Sequence, residues 1–225
     1  MKMNYRGMCV LCGKTTSKSA MSRHLRTCVL AHECANEKVV RWLLFRVEGS
    51  GMPVYWLDIE CKADARLTSL DIFLRRIWLE CCGHLSAFRI GQMTYLTPVE
   101  REPFDLTNER GQNVALSRAL RFHRGWFKYE YDFGSTTELR LRVEGERMGI
   151  EGRDPVRLLA RNEAPNWSCR RCQKQATLIC AYCVYEADPF FCETHARSHK
   201  CEDDAFLPVV NSPRAGICGY TGTEY

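Results

Sequence analysis

No apolar run in the sequence approaches the ~20 residues a membrane-spanning helix needs, and the opening MKMNYRGMCV has no apolar stretch of signal-peptide length before its first cysteine. A cytoplasmic protein is expected. Acidic residues are missing altogether from positions 1 to 32, where Lys2, Arg6, Lys14, Lys18, Arg23 and Arg26 stand uncompensated. The formal net charge of +5 therefore collects at the amino end, where it can meet nucleic-acid phosphates, an acidic partner or simply water. Internal repeats and low-complexity tracts are also missing, which leaves repeat architectures and long disordered stretches without support. With 45% hydrophobic and 11% aromatic residues, the 225-residue chain can bury one domain-sized core with smaller attachments.

Cysteine is abundant, at fourteen residues. In a secreted protein that number would signal disulfides. The spacing argues for metal instead. Cys9/Cys12, Cys169/Cys172 and Cys180/Cys183 are C-x2-C pairs, and Cys192-x2-His195 repeats the gap with a histidine, which has no part in a disulfide. The two-residue gap lets two donors of one turn face a single ion.

Four regions separate by composition: 1–34, basic with Cys/His donors; 38–150, patterned like a folded core; 151–166, a linker with two prolines and little periodicity; and 167–225, rich in cysteine again. In the last region, Cys169/Cys172, Cys180/Cys183, Cys192/His195 and His199/Cys201 make four donor pairs, enough for two tetrahedral zinc ions. In the interleaved arrangement of RING and B-box modules, alternate pairs share an ion. That assigns Cys169, Cys172, Cys192 and His195 to one ion, and Cys180, Cys183, His199 and Cys201 to the other. Cys218, followed by glycine in ICGY, is the alternative to Cys201. A segment of about 60 residues buries too little apolar area to fold comfortably alone, which favours ligated over idle thiols.

The amino-terminal region reads C-x2-C-x11-H-x3-C through Cys9, Cys12, His24 and Cys28, a C2HC-type finger. A helix through SAMSRHLRTC sets His24 and Cys28 on one face. Cys34, after His32, is the alternative donor. Three Zn2+ per chain are thus expected. Likeness to DNA-reading C2H2 fingers is partial: the base-reading positions fall on Ser17, Ala20 and Arg23, and Thr15 and Thr16 stand where an aromatic would be expected.

In the central region Leu43, Phe45 and Val47 alternate with outward positions, and Tyr55, Leu57, Ile59 and Cys61 alternate with Trp56, Asp58 and Glu60, the period of half-buried strands. In TSLDIFLRRIWLECC, Leu70, Phe73, Leu74, Ile77, Trp78 and Cys81 trace a helix face, with Thr68 and Asp71 spaced as a capping box and Gly83 as the stop. A strand near 85–90 and a short helix in NVALSRAL follow. Phe127, Tyr129, Tyr131 and Phe133 then oppose Leu139, Leu141 and Val143 across a GSTT turn. The fold expected is α+β: a central sheet-and-helix domain flanked by the small finger and a cross-brace-like two-zinc module.

Catalytic readings are weak. Cys82 and His84 lack a third orienting group, so structural roles are expected of them. Asp132-Phe133-Gly134 spells a kinase metal-binding triplet without a glycine-rich or catalytic loop. Cys61 and Cys81 read as buried thiols on apolar faces.

The stretches WLDIECKADARLTSLDIFLRRIWLECCGHLSAF and FKYEYDFGSTTELRLRVE resemble the Ri-plasmid open-reading-frame-three-like family, some members of which are described as transposon passenger proteins. The resemblance covers residues of about 40 to 150. Ser135 and Thr137 replace the acidic residue and tryptophan common after the family's YDFG, marking a divergent branch. An α+β fold and association with mobile elements are what the resemblance implies, without an activity or catalytic residues. The expectation is a zinc-binding, non-enzymatic binding or adaptor protein with a protein partner. Its alternative is a nucleic-acid-associated regulatory protein that uses residues 1–32 and the Arg170, Arg171, Lys174 cluster, with a thiol or zinc enzyme third.

Overall fold

The computed structural model describes residues 5–33, 38–97, 108–185, 188–201 and 205–223. Cys34, the alternative finger donor, lies outside the described residues. Two compact units make up the chain: Met1–Phe73 with Leu85–Glu163, and Leu74–His84 with Ala164–Tyr225. Among the described residues no helix is long and apolar enough to cross a membrane.

The first unit holds β1 (Arg6–Cys9), β2 (Thr15–Ser17), α1 (Lys18–Ala31), β3 (Val39–Gly49), β4 (Met52–Lys62), α2 (Leu67–Leu74), β5 (Ser86–Ile90), β6 (Met93–Leu96), β7 (Glu109–Gly111), α3 (Leu116–Ala119), β8 (Trp126–Tyr131), β9 (Thr137–Ile150) and β10 (Val156–Asn162). Its ten strands among the described residues form one sheet in the order β2-β1-β10-β4-β3-β9-β8-β5-β6-β7. Neighbours are antiparallel throughout except β6 and β7. The mostly-sheet α+β class matches the expectation.

Several details differ from the sequence reading, and each has a physical reason. Residues 156–162, expected as linker, form β10 between β4 and β1. A register shift between Leu158 and Ala160 breaks the period of two there, so the strand is invisible as alternation. β1, which carries Cys9, pairs with β10 and so extends the central sheet. Trp56, Asp58 and Glu60, expected to face outward, are buried. Trp56 shares a core with Met21, Leu25, Cys28 and Val29 of α1 and with Leu159 and Ala160 of β10, so the helix covers this face of the sheet. Arg46 rivets the same layer: Nε donates to Asp58 Oδ1 (2.6 Å), Nη2 donates to Lys18 O (3.1 Å) and Ser22 Oγ (2.9 Å), and the guanidinium lies over the Trp56 ring. Glu60 is held by Arg147 (3.0 Å) and Arg157.

The helix predicted through Cys81 also ends early. α2 stops at Leu74 and widens into a π-turn over Arg75–Leu79, leaving Cys81 beyond it. Thr68 lies inside α2 and its N–H donates to Gln112 O (3.2 Å), so it does not head a capping box, and Asp71 Oδ1 accepts from Ser86 Oγ (2.5 Å) and Tyr129 Oη (2.7 Å) in the core. The β8–β9 hairpin pairs Phe127 with Leu141 and Tyr129 with Leu139. Phe133 lies in the turn, 47% exposed, and Val143 is 37% exposed, so neither joins that core. Asp132 sits at φ 65 with Oδ1 accepting from Gly134 N–H, which makes the Asp-Phe-Gly triplet a turn.

The second unit has little regular structure: β11 (Leu178–Cys180), β12 (Phe190–Phe191), α4 (Glu193–Ala196) and β13 (Phe206–Pro208), with a three-stranded sheet ordered β12-β11-β13. Its small core around this sheet is Cys180, Phe191, Ala196 and Ala205, bordered by Leu178, Cys183, Cys201 and Phe206. Segment 74–84 adds the buried Ile77, Trp78 and Leu79.

Candidate metal centres

Each candidate centre begins with a turn that converts two nearby cysteines into convergent donors. Cys9 closes β1, its carbonyl accepts from Gly13 N–H (2.9 Å), and Gly13 at φ 74 turns the chain back so that Cys9 and Cys12 face one point. Ser17 caps α1 by accepting from Ala20 N–H, and the helix delivers His24 and Cys28 to the same point. Cys12 Sγ lies 3.3 Å from His24 Nε2, and Cys9 Sγ lies 3.8 Å from Cys28 Sγ. His32 Nδ1 contacts the Cys28 carbonyl oxygen (2.8 Å) and approaches its sulfur (3.6 Å), a brace behind the donor.

The second unit repeats the device. Cys169 N–H donates to Lys174 O and Cys172 N–H to Cys169 O, the hydrogen bonds of a tight loop. Cys192 opens α4, one turn of which supplies His195. Cys169 and Cys192 each stand 3.4 Å from His195 Nδ1, and Cys172 stands 3.9 Å from Cys192. Nearby, Cys183 lies 3.4 Å from His199 Nε2 and 3.9 Å from Cys201. The ring of His199 packs on Phe191 and Phe206, which fixes its plane.

All twelve sequence-derived donors fall into three groups: Cys9, Cys12, His24, Cys28; Cys169, Cys172, Cys192, His195; and Cys180, Cys183, His199, Cys201. Within each group every donor atom lies within 4.8 Å of the others. A tetrahedral ion with bonds of about 2.3 Å to sulfur spaces its donors about 3.8 Å apart, so the donor sets fit such an ion. In the second unit the chain alternates between the two sequence-derived groups. The structure brings Cys201, not Cys218, to Cys180 and Cys183. No disulfide joins any described cysteine.

The thiols within a group shift one another. Burial, reinforced by Cys12 and Cys9, pushes the Cys28 thiol up to about 12. Cys183 is pushed to about 12 by burial and by its neighbours Cys180 and Cys201. Burial opposes ionisation of Cys169 too, yet the backbone N–H groups of Cys192 and Arg171, with His195, bring it down to about 6. Within one group the thiols compete for negative charge, and a cation among them removes that competition. Cys61 is fully buried, belongs to no such group among the described residues, and its thiol is raised by burial and by the neighbouring Glu60.

One further group escaped the reading of spacings: Cys81, Cys82, His84 and Cys218. The sequence reading makes Cys81 a buried thiol, gives Cys82 and His84 structural roles, and offers Cys218 as the alternative to Cys201. The signals were present, a dense C-C-x-H run and the Cys218-Gly219 pair, but 134 residues separate His84 from Cys218.

No known protein family matches the chain, and no curated protein matches it. Among solved structures, the chain is similar to a protein of unknown function from Methanosarcina mazei Go1, with 17% identity over 54% of this chain and 69% of that one and a TM-score of 0.45.

Proposed function

We propose that this is a zinc-binding, non-enzymatic adaptor whose metal centres stiffen surfaces that dock a protein partner. One observation carries the reading. Each sequence-derived group offers three sulfurs and one imidazole nitrogen, a full tetrahedral set of four protein donors that leaves no position for substrate or activated water. Soft thiolates with imidazole in that geometry favour zinc over calcium, magnesium or manganese. The small core of the second unit supports a structural role, since metal affinity there becomes folding energy. The resemblance of residues 40–150 to the Ri-plasmid family adds an association with mobile elements to this proposal.

X-ray absorption at the zinc edge on reduced, zinc-loaded protein tests the reading. An average shell of three sulfurs and one nitrogen supports closed structural sites. An added oxygen donor, or a five-coordinate ion, would favour the enzyme reading.

A nucleic-acid role has narrower support. Arg23 and Arg26 are exposed on the outer face of α1, in the stretch that lacks acidic residues. Base reading is a poor fit, because the Ser17 hydroxyl is engaged in capping and the opposite face of α1 is buried against Trp56. Electrophoretic shift at two salt concentrations separates the readings: phosphate contacts weaken steeply with salt, whereas an adaptor shows no shift at either.

A further inference from the structure

Cys81, Cys82, His84 and Cys218 match the other groups in composition, three sulfurs and one imidazole, and in compactness, with all donor atoms within 4.8 Å. All four residues belong to the second unit. His84 Nε2 lies 3.3 Å from Cys218 Sγ, the same edge as that between Cys12 and His24. We propose that these residues form a fourth zinc centre, which clips segment 74–84 to the carboxy-terminal tail. The inference rests on reading the Cys/His groups as zinc sites, and goes beyond the three that spacing supports.

Both halves of the centre are held independently of any ion. On one side, Gly83 at φ 70 reverses the chain between Cys82 and His84. Its N–H donates to Glu80 Oε1 (2.6 Å), Glu80 is paired with Arg75 (3.0 Å), and Arg75 Nη2 donates to the His84 carbonyl (2.6 Å). The C-C-G-H run is thereby fixed by the π-turn before it. On the other side, Cys218 sits at φ 50 between Gly216 at φ 83 and Gly219 at φ 66. A non-glycine residue in the left-handed region is disfavoured and persists only where its surroundings demand it. Here that conformation belongs to the residue whose sulfur reaches His84.

Two independent observations separate this group from chance proximity. Arg214 is completely buried, and its Nη2 donates to Cys81 Sγ at 3.4 Å. The guanidinium braces the Cys81 sulfur from behind, as charged and polar groups behind metal donors commonly do. The tail is also stitched to the same segment, with Ser212 Oγ donating to Trp78 O (2.6 Å) and Thr223 Oγ1 to Ile77 O (3.2 Å). Donors from two remote stretches therefore meet at a junction already built from hydrogen bonds. The centre differs from the others in exposure, since both Cys82 and Cys218 are exposed, so its ion should exchange most readily.

The test is native mass spectrometry of the full chain, purified reduced and saturated with zinc. Wild-type protein should carry four ions, while Cys218→Ser and Cys82→Ser should each carry three. Cys218→His, which restores a donor, should regain the fourth. Partial competition with a chelator should remove this ion first. Wild type with three ions that neither serine variant reduces would overturn the fourth centre and leave the zinc reading intact. A disulfide among Cys81, Cys82 and Cys218 in the reduced preparation would also overturn it. No zinc in any form would sink both readings. Far-ultraviolet circular dichroism of the variants guards against simple misfolding, and a Cys82→Ser protein that is folded yet keeps four ions counts against the centre.

Discussion

Gly7 lies directly against Trp56: a methyl group built on the glycine would stand 2.4 Å from indole Cζ2 and 2.5 Å from the Arg161 carbonyl oxygen. This approach lets β1 join β10 while the indole fills the space beneath α1. The obstruction includes backbone, so a side chain cannot be admitted by a rotamer change. Gly7→Ala should cost about 1–3 kcal/mol, the usual penalty of overpacking, read as a lower urea midpoint and faster amide exchange in α1. Gly111→Ala in β7 is the control, because nothing lies within 4 Å of a Cβ there. Equal effects from both would show that the contact with Trp56 does not set the cost.

Glu48 offers a pH-dependent prediction. It is 4% exposed and bridges Lys18 (2.5 Å) and Arg140. Burial opposes its charge, but Lys18 and Arg140 outweigh burial and hold its carboxyl below the ordinary value of 4.5. A carboxyl with a depressed folded-state value stabilises above its unfolded value, and that stability is lost as pH falls through the folded one. Lys18 shifts for the opposite reason: burial outweighs Glu48 and lowers its amine from 10.5, far from the acid window. Glu48→Gln should therefore cost about 2–4 kcal/mol at neutral pH, somewhat under the figure for a fully buried broken pair because Arg140 is half-exposed. The gap from wild type should narrow below pH 4.5. A gap that is flat from pH 7 to pH 3 would mean the carboxylate charge contributes nothing.

How much of this was legible in the sequence depends on the range of the signal. The β8–β9 hairpin and the C-x2-C turns are encoded within a few residues, so alternation and spacing reveal them. β10 was missed because the irregularity at Leu158 and Ala160 hides its period. The burial of Trp56, Asp58 and Glu60 was missed because their cover, α1, comes from the amino-terminal stretch, and a one-face pattern cannot announce a second layer. The fourth donor group was missed for the same physical reason. Its members are local on one side and remote on the other, and only the fold brings Cys218 to His84.

Metal removal should divide the molecule. The first unit's buried core includes Trp42, Phe45, Leu57, Ile59, Tyr129 and Leu139, enough to persist without an ion, whereas the core of the small sheet in the second rests on Cys180, Phe191, Ala196 and Ala205. A structural zinc site supplies ~10–16 kcal/mol of apparent binding free energy at neutral pH, more than such a core can replace. A strong chelator should abolish amide protection in β11 and β13 and preserve it in β3, β4 and β9. Helix α1 should loosen only in part, because Met21, Leu25 and Val29 remain packed on Trp56. Loss of protection in β3 and β4 together with β11 would show that the large sheet depends on metal as well.

The alternation of the two donor groups in the second unit makes the final prediction. Cys180 and Cys183 lie in the chain between Cys172 and Cys192, and Cys192 and His195 lie between Cys183 and His199. Each ion would therefore close a loop that contains donors of the other, and β11 shares its ladder with β12, which leads directly into Cys192. Cys180→Ser should remove one ion outright. The stretch from Leu178 to Cys180 then loses its anchor, and Phe191, packed against Cys180 and Ala196 in the same small core, loses its support. Amide exchange around Cys169 and Cys192 should consequently rise even though their own four donors are intact. Cys201→Ser should release the same ion with a milder effect on β11, since Cys201 is only half-buried. Cys218→Ser should leave exchange around Cys180 unchanged. If Cys180→Ser sheds an ion while exchange around Cys169 and Cys192 stays at the wild-type rate, the two centres fold independently and the cross-braced reading of this module fails.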